Sequence, residues 1–289
     1  MASLYKAYDP ETLAKLQKLE LGILKEFDRI CTQNGIEYFC AGGTAIGAMR
    51  HGGFIPWDDD IDVALLREDY ERFLKCAREQ LSDRYEILNT ENDPAYPLMT
   101  TRLVLKGTRF QEECFKDLSC DFGIFLDVYC FDYIPDDEAK MKKAAKKVWL
   151  QGKLMILAAI DDPVLYIGGF KAAVVKLGSK VAHGVLRLLG VTPGRIYRSV
   201  KKVLLENGQK SKRVAYQFDP QLYTSIIDTD DIFPIRRIQF EDMQVMCMAK
   251  VEAYLSKRYG DYMTLPPEEK RHNHPPYRLD FGPYGKSNG

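Results

Sequence analysis

The chain has 289 residues, 46% of them hydrophobic, which is enough for a buried core in one large or two small domains. Its 41 basic and 41 acidic residues cancel overall, and nucleic acid is not expected among its partners. Met1 to Lys6 lacks the apolar stretch of a signal peptide, and no run of 18 uncharged apolar residues occurs, so the expected location is the cytoplasm, with a possible peripheral seat on the inner membrane face.

The seven cysteines, at positions 31, 40, 76, 114, 120, 130 and 247, are scattered without a C-x-x-C pair and are expected to be reduced core residues. Charge is unevenly distributed. Between Lys140 and Arg213 there are 17 Lys and Arg against three acids (Asp161, Asp162 and Glu206), a net +14 that the remainder of the chain balances with −14. The split suggests an acidic metal-binding core beside a basic surface able to meet phosphate-bearing material or an anionic membrane.

In chain order, Asp9-Pro10 reads as an N-cap followed by proline at the first helical position, and Leu13, Leu16, Leu24, Phe27 and Cys31 recur at helical spacing up to Asn34-Gly35. Ile36 to Ala41 is expected to form the first strand. Gly42-Gly43-Thr44 then turns into a short helix, Ala45 to Arg50, where glycines let backbone approach a ligand and helix-start amides favour an anion such as phosphate. A plain strand-to-helix turn is the alternative.

After the loop from Gly52 to Trp57, Asp60 to Leu66 is expected to be the second strand, with Asp60 and Asp62 on one face. Two carboxylates about 6 to 7 Å apart along a strand repel unless a cation lies between them, and carboxylate ligands suit Mg2+ or Mn2+. Asp58 and Asp59 read as an acidic loop that orients this strand. A helix over Glu68 to Leu81 and strands at Tyr85–Leu88, Leu98–Lys106 and Arg109–Gln111 follow. The run from Phe122 to Asp132 is a central strand whose buried Asp127 needs a partner or a cation, making it the third metal-site acid.

Asp136 to Ile160 and Tyr166 to Leu189 read as basic, apolar helices. They either rest on a membrane or form a helical subdomain whose lysines merely face water. Gly190 to Ala215 reads as a connection, Ile238 to Met246 as a strand pair, and Ala249 to Tyr259 as a helix closed by Gly260. The expected organisation is α+β: a mixed sheet with flanking helices over 1–135, a mainly helical insertion over 136–230, and a C-terminal segment over 231–289 that completes the core and substrate pocket.

The combination of Gly42-Gly43-Thr44, Arg50-His51-Gly52-Gly53, Ile55-Pro56-Trp57-Asp58-Asp59-Asp60-Ile61-Asp62, Phe125-Leu126-Asp127-Val128, and Tyr259-Gly260-Asp261-Tyr262 with Leu265-Pro266-Pro267 resembles the LicD family. These are phosphorylcholine transferase-like proteins related to fukutin and fukutin-related protein. The resemblance implies a nucleotidyltransferase-like fold and carries the glycine-turn and metal-acid roles onto Gly42, Gly43, Asp60, Asp62 and Asp127. It implies transfer of a phospho-alcohol, with choline phosphate the archetype, from a CDP-activated donor such as CDP-choline to a sugar hydroxyl on a glycan or lipid-linked glycan. Two Mg2+ or Mn2+ ions held by Asp60, Asp62 and Asp127 would grip the diphosphate.

Asp127 is the candidate general base, or purely a ligand. Thr44, Arg50 and Arg102 are candidate substrate contacts, the two arginines on the diphosphate, and Trp57 either faces a quaternary ammonium group or packs the loop. His51 reads as a packing residue, and His272 and His274 as pocket or solvent-facing groups. Where family members often carry Asp-Ile-Phe-Pro-Leu-Asp, this chain has Asp127-Val128-Tyr129-Cys130-Phe131-Asp132, which leaves the role of Asp132 open. Nucleotide transfer from a nucleoside triphosphate, or a non-catalytic glycan- or membrane-binding module, are the rival readings.

Overall fold

A computed structural model describes residues 8–162, 169–207, 210–219, 221–271, 273 and 275–285; His272 and His274 lie outside the described residues. Helix α1 (Pro10–Gln33) starts where the sequence says it should. The Asp9 carboxylate accepts from the Thr12 amide at 2.9 Å, and Pro10 places its missing N–H where no intrahelical bond is needed. The expected first strand shrinks to β1 (Phe39–Cys40), because Ile36 is still tied back to the Cys31 carbonyl as the helix ends.

Helix α2 spans Gly42–Arg50, so it begins three residues before the expected Ala45 and takes both glycines into its first turn. Strand β2 (Asp62–Leu66) begins later than expected, which leaves Asp60 in the preceding loop. Asp60 and Asp62 therefore do not share a strand face. Helix α3 (Arg67–Gln80), strands β3 (Tyr85–Leu88), β4 (Thr101–Leu105) and β5 (Arg109–Gln111), and the long strand β6 (Phe125–Tyr133) follow near their expected bounds.

The sheet runs β1-β2-β6-β4-β3, with β6 central, parallel to β2 and antiparallel to β4. Phe27 of α1 meets Phe73 of α3 at 4.7 Å and Tyr38 at 5.0 Å between ring centroids, which seats both helices over the core.

Helices α4 (Glu138–Ala159), α5 (Gly169–Leu188) and α6 (Pro193–Asn207) come next. The segment expected as a connection is in large part α6: Pro193 occupies its first position, and Ile196, Val200 and Leu204 form a buried stripe against Val148 and Met155 of α4. The chain then rejoins the sheet through β7 (Arg213–Ala215), which pairs antiparallel with the end of β6. After α7 (Leu222–Ser225), β8 (Ile227–Asp228) and α8 (Thr229–Ile232), β9 (Arg236–Phe240) and β10 (Met243–Cys247) form a hairpin that leads into α9 (Val251–Tyr259). Strand β11 (Arg278–Asp280) returns to pair with β5.

The fold is α+β, a curled mixed sheet with helices packed on it. All seven cysteines are free thiols; five are buried, Cys76 is half-buried, and Cys114 is exposed, an exception to the core placement expected of it.

Candidate active site

Strands β2 and β6 run parallel with Asp62 opposite Asp127, so both carboxylates leave the same face of the sheet from chains about 4.8 Å apart. The start of β2 is pinned by Thr44, whose hydroxyl accepts from the Asp62 amide at 2.8 Å. Thr44 thus holds the acid in place. The paired glycines have a steric reason. Gly42 has φ +53°, and a Cβ there would lie 2.6 Å from Asp62 Oδ2, while one on Gly43 would lie 2.5 Å from Asp58 Oδ2.

Gly42→Ala is accordingly expected to lose about 1–2 kcal/mol of stability from the left-handed backbone alone. Displacement of Asp62 should lower turnover about a hundredfold. Thermal melts and turnover measured on the same preparation check both effects; wild-type turnover would show that the close approach is not needed.

Asp62 keeps part of its surface in a cleft, yet its Oδ1 is enclosed and has no hydrogen-bond partner. Burial, then the charges of Asp60, Asp127 and Asp58, hold its carboxyl well above the usual carboxylate range. In the preceding loop, carboxylate oxygens of Asp58, Asp59 and Asp60 approach within 4.8 Å of one another. Glu20 of α1 adds a further acid: it is fully buried with neither oxygen bonded, and burial together with Asp60, Asp59 and Asp58 raises its pKa strongly. The sequence reading missed Glu20, although its place in the stripe with Leu16, Ile23, Leu24 and Phe27 was a legible signal. The clustered loop acids Asp58, Asp59 and Asp60 are an oxygen-only set of the kind that suits a hard divalent cation such as Mg2+ or Mn2+, and among the described residues Asp62 and Asp127 do not join that cluster.

Asp127 has a different environment. Arg102 Nε donates to its Oδ1 at 3.2 Å, Arg102 Nη2 reaches Glu112 at 3.3 Å, and the guanidinium lies 3.7 Å from the Phe125 ring centroid. Burial still raises the Asp127 pKa, outweighing the attraction of Arg102. Arg102 is itself enclosed, with its charge directed at Asp127. Asp132 is taken up by Arg67 in two 2.8 Å hydrogen bonds, a buried pair that braces α3 on β6.

Arg50 donates to the Tyr262 carbonyl at 2.6 Å and to His51 Nε2 at 2.9 Å, tying the end of α2 to the loop after α9. One face of Trp57 is covered by the Arg271 guanidinium, 4.9 Å from its ring.

A cleft of about 740 Å³ opens beside Asp62. Gly42, Gly43 and Asp62 line it; Thr44, Arg50, Trp57, Asp60, Arg102 and Asp127 are not among its walls. The remaining walls are rich in aromatic residues: Tyr129 and Phe131 from β6, Tyr216 and Phe218 after β7, and Tyr254 and Tyr259 from α9. Tyr129 and Tyr216 pack edge to face at 4.9 Å, and Arg258 is paired with Asp219 at 2.7 Å. These residues come from three separated segments, and no spacing in the sequence announces them.

Paired acids on neighbouring strands thus lie at the foot of a helix that opens on two glycines. Residues 35–99 match the family described as LicD/FKTN/FKRP, nucleotidyltransferase domain. Over 91% of its length the chain is 28% identical to lipopolysaccharide cholinephosphotransferase LicD of Haemophilus influenzae, covering 96% of that protein. A 35-residue stretch, 12% of the chain and 7% of the relative, is 49% identical to human ribitol 5-phosphate transferase FKRP. Another short match, 41% over 51 residues, is to an uncharacterized protein of Rickettsia typhi. Over most of its length the chain is thus similar to a LicD protein, and residues 35–99 match that family's nucleotidyltransferase domain.

Proposed function

We propose that the protein is a LicD-type phosphotransferase that moves phosphocholine from a CDP-activated donor to a sugar hydroxyl of a glycan or lipid-linked glycan, releasing CMP. The observation that carries this reading is the cleft itself, where Asp62 and the first turn of α2 meet a wall of aromatic rings. Amides at a helix start favour a phosphate group, and aromatic faces favour a quaternary ammonium group. The aromatic residues around Tyr216 suit that cation better than Trp57, whose ring already carries Arg271.

In this reaction the acceptor oxygen forms a bond to the choline-bearing phosphorus as the bond to CMP breaks. Asp60, Asp62 and Asp127 would hold Mg2+ or Mn2+, two ions in the family pattern, which when bound neutralise the diphosphate and lower the pKa of the attacking hydroxyl. The Arg102 ion pair favours a fixed, ligand-type role for Asp127 over that of general base. Thr44 and Gly42 keep Asp62 in register with it.

Incubation with Mg2+ and CDP-choline, CDP-ribitol, CDP-glycerol or nucleoside triphosphates tests the donor. CDP-choline is expected to give the fastest CMP release, and Tyr216→Leu to raise its KM about 5- to 30-fold, the equivalent of about 1–2 kcal/mol of lost cation–π attraction. Preference for a triphosphate would replace this reading with nucleotide transfer, and inertness to all donors would favour a non-catalytic module.

A further inference from the structure

Helix α5 has only Ser179 buried among its described side chains. Its inner side meets α4, where His183 Nδ1 contacts the Leu157 carbonyl at 3.0 Å. On its outer side Val174, Leu177, Val181, Val185 and Leu188 recur at helical spacing, and each is between 49% and 89% exposed. Burying such a row against the fold is the ordinary reason for a helical stripe, so an outward one calls for a covering surface.

The charge around the stripe says what that surface is. Helix α5 carries Lys171, Lys176, Lys180 and Arg187 and no acid. Its nearest counter-charge is Asp162, paired with Lys176 at 2.8 Å and more loosely with Lys180 at 3.8 Å. Neighbouring α4 adds six lysines against the single acid Glu138. A basic helix with one apolar face fits the interface of an anionic bilayer, the lysine stems lying along the lipid and their ammonium groups at the headgroups.

No helix among the described residues is long and apolar enough to cross a membrane.

Continuity with the cleft points the same way. Tyr216 and Phe218 also wall a second, mostly apolar groove with Leu98, Trp149 and Ile156. Trp149 and Ile156 lie on the exposed side of α4. Two walls of the active-site cleft are thus shared with an apolar groove on the exposed side of α4.

We propose that the outer face of α5 docks the protein onto an anionic membrane, where a lipid-anchored acceptor would meet the cleft. The acceptor clause rests on the function proposed above; the docking itself does not, and lipid binding is measured without turnover.

The test is co-flotation of the full chain with phosphatidylglycerol/phosphatidylcholine vesicles and with pure phosphatidylcholine vesicles, at low and high salt. At least about tenfold more protein is expected on the anionic vesicles at low salt, with most of it released at high salt. The double change Leu177→Asp and Val181→Asp should cut binding about tenfold without moving the melting temperature, since both side chains already face solvent. Absence of co-flotation at low salt, or flotation unchanged in the double variant, would overturn the proposal. So would a stable dimer in solution that the same two changes dissociate, because the stripe would then be an interface between copies.

Discussion

Asp62→Asn is expected to abolish turnover while leaving the metal-free protein as stable as the wild type or more so. The loss follows from the metal-ligand role proposed for it: it lines the cleft, and its enclosed Oδ1 has no hydrogen-bond partner. Removing one preorganised charged group from such a site lowers the rate by about 10²–10³-fold or more.

The stability effect has the opposite sign because the folded state holds this carboxyl well above the usual range, through burial and the charges of Asp60, Asp127 and Asp58. With the folded pKa raised, the stabilising term is present below the unfolded value of about 3.9 and is lost as pH rises through the folded value. Wild-type protein in EDTA should therefore lose stability from about pH 4 upward. Asp62→Asn should flatten that slope, and Mg2+ should restore stability to the wild type and not to the variant. Thermal melts across pH, with and without Mg2+, measure all three. Wild-type CMP release by the variant would sink the metal-site assignment.

Arg102→Met should produce the largest loss of stability of any single change at the site, about 3–5 kcal/mol, the usual cost of leaving a buried charge without its partner. Arg102 is almost wholly enclosed, spans Asp127 and Glu112, and stacks on Phe125. Methionine keeps much of the packing volume and removes the charge, so the loss reports the ion pair and not a cavity. Combining it with Asp127→Asn should recover most of the lost stability, a coupling that urea unfolding of the four proteins would quantify. Arg102→Lys should not behave as wild type, because an ammonium cannot reach both acids in a planar fork or stack on the ring. A loss under about 1 kcal/mol in Arg102→Met would mean that Asp127 is solvated or neutral without its arginine.

Much of the fold was legible because its signals are local. The Asp9 cap, the helical stripe of α1, and the bounds of α3, β3, β5 and the β9–β10 hairpin each depend on residues within a few positions of one another. The errors sit where a nonlocal bond decides. Asp60 alternates with Asp62 in sequence, yet the ladder to β6 begins only at Asp62. Helix α6 was hidden behind Pro193-Gly194, which reads equally well as a turn until the apolar face of α4 is there to receive Ile196 and Val200.

By itself the sequence suggested the chemistry in outline: a glycine turn ahead of a short helix, a cluster of aspartates, a buried Asp127 that needed a partner or a cation, and a basic segment set against an acidic remainder. Residue type and short-range spacing are sufficient for those inferences. Tertiary structure alone decided which groups meet. Parallel pairing brought Asp62 beside Asp127, the β4–β6 register supplied Arg102 as the partner of Asp127, the packing of α1 sent Glu20 toward the aspartates, and three distant segments converged to wall the cleft with aromatic rings. The physical reason is that sheet register and helix packing are set by burial of the whole core, and a linear spacing carries no record of which face, or which distant strand, a side chain will find.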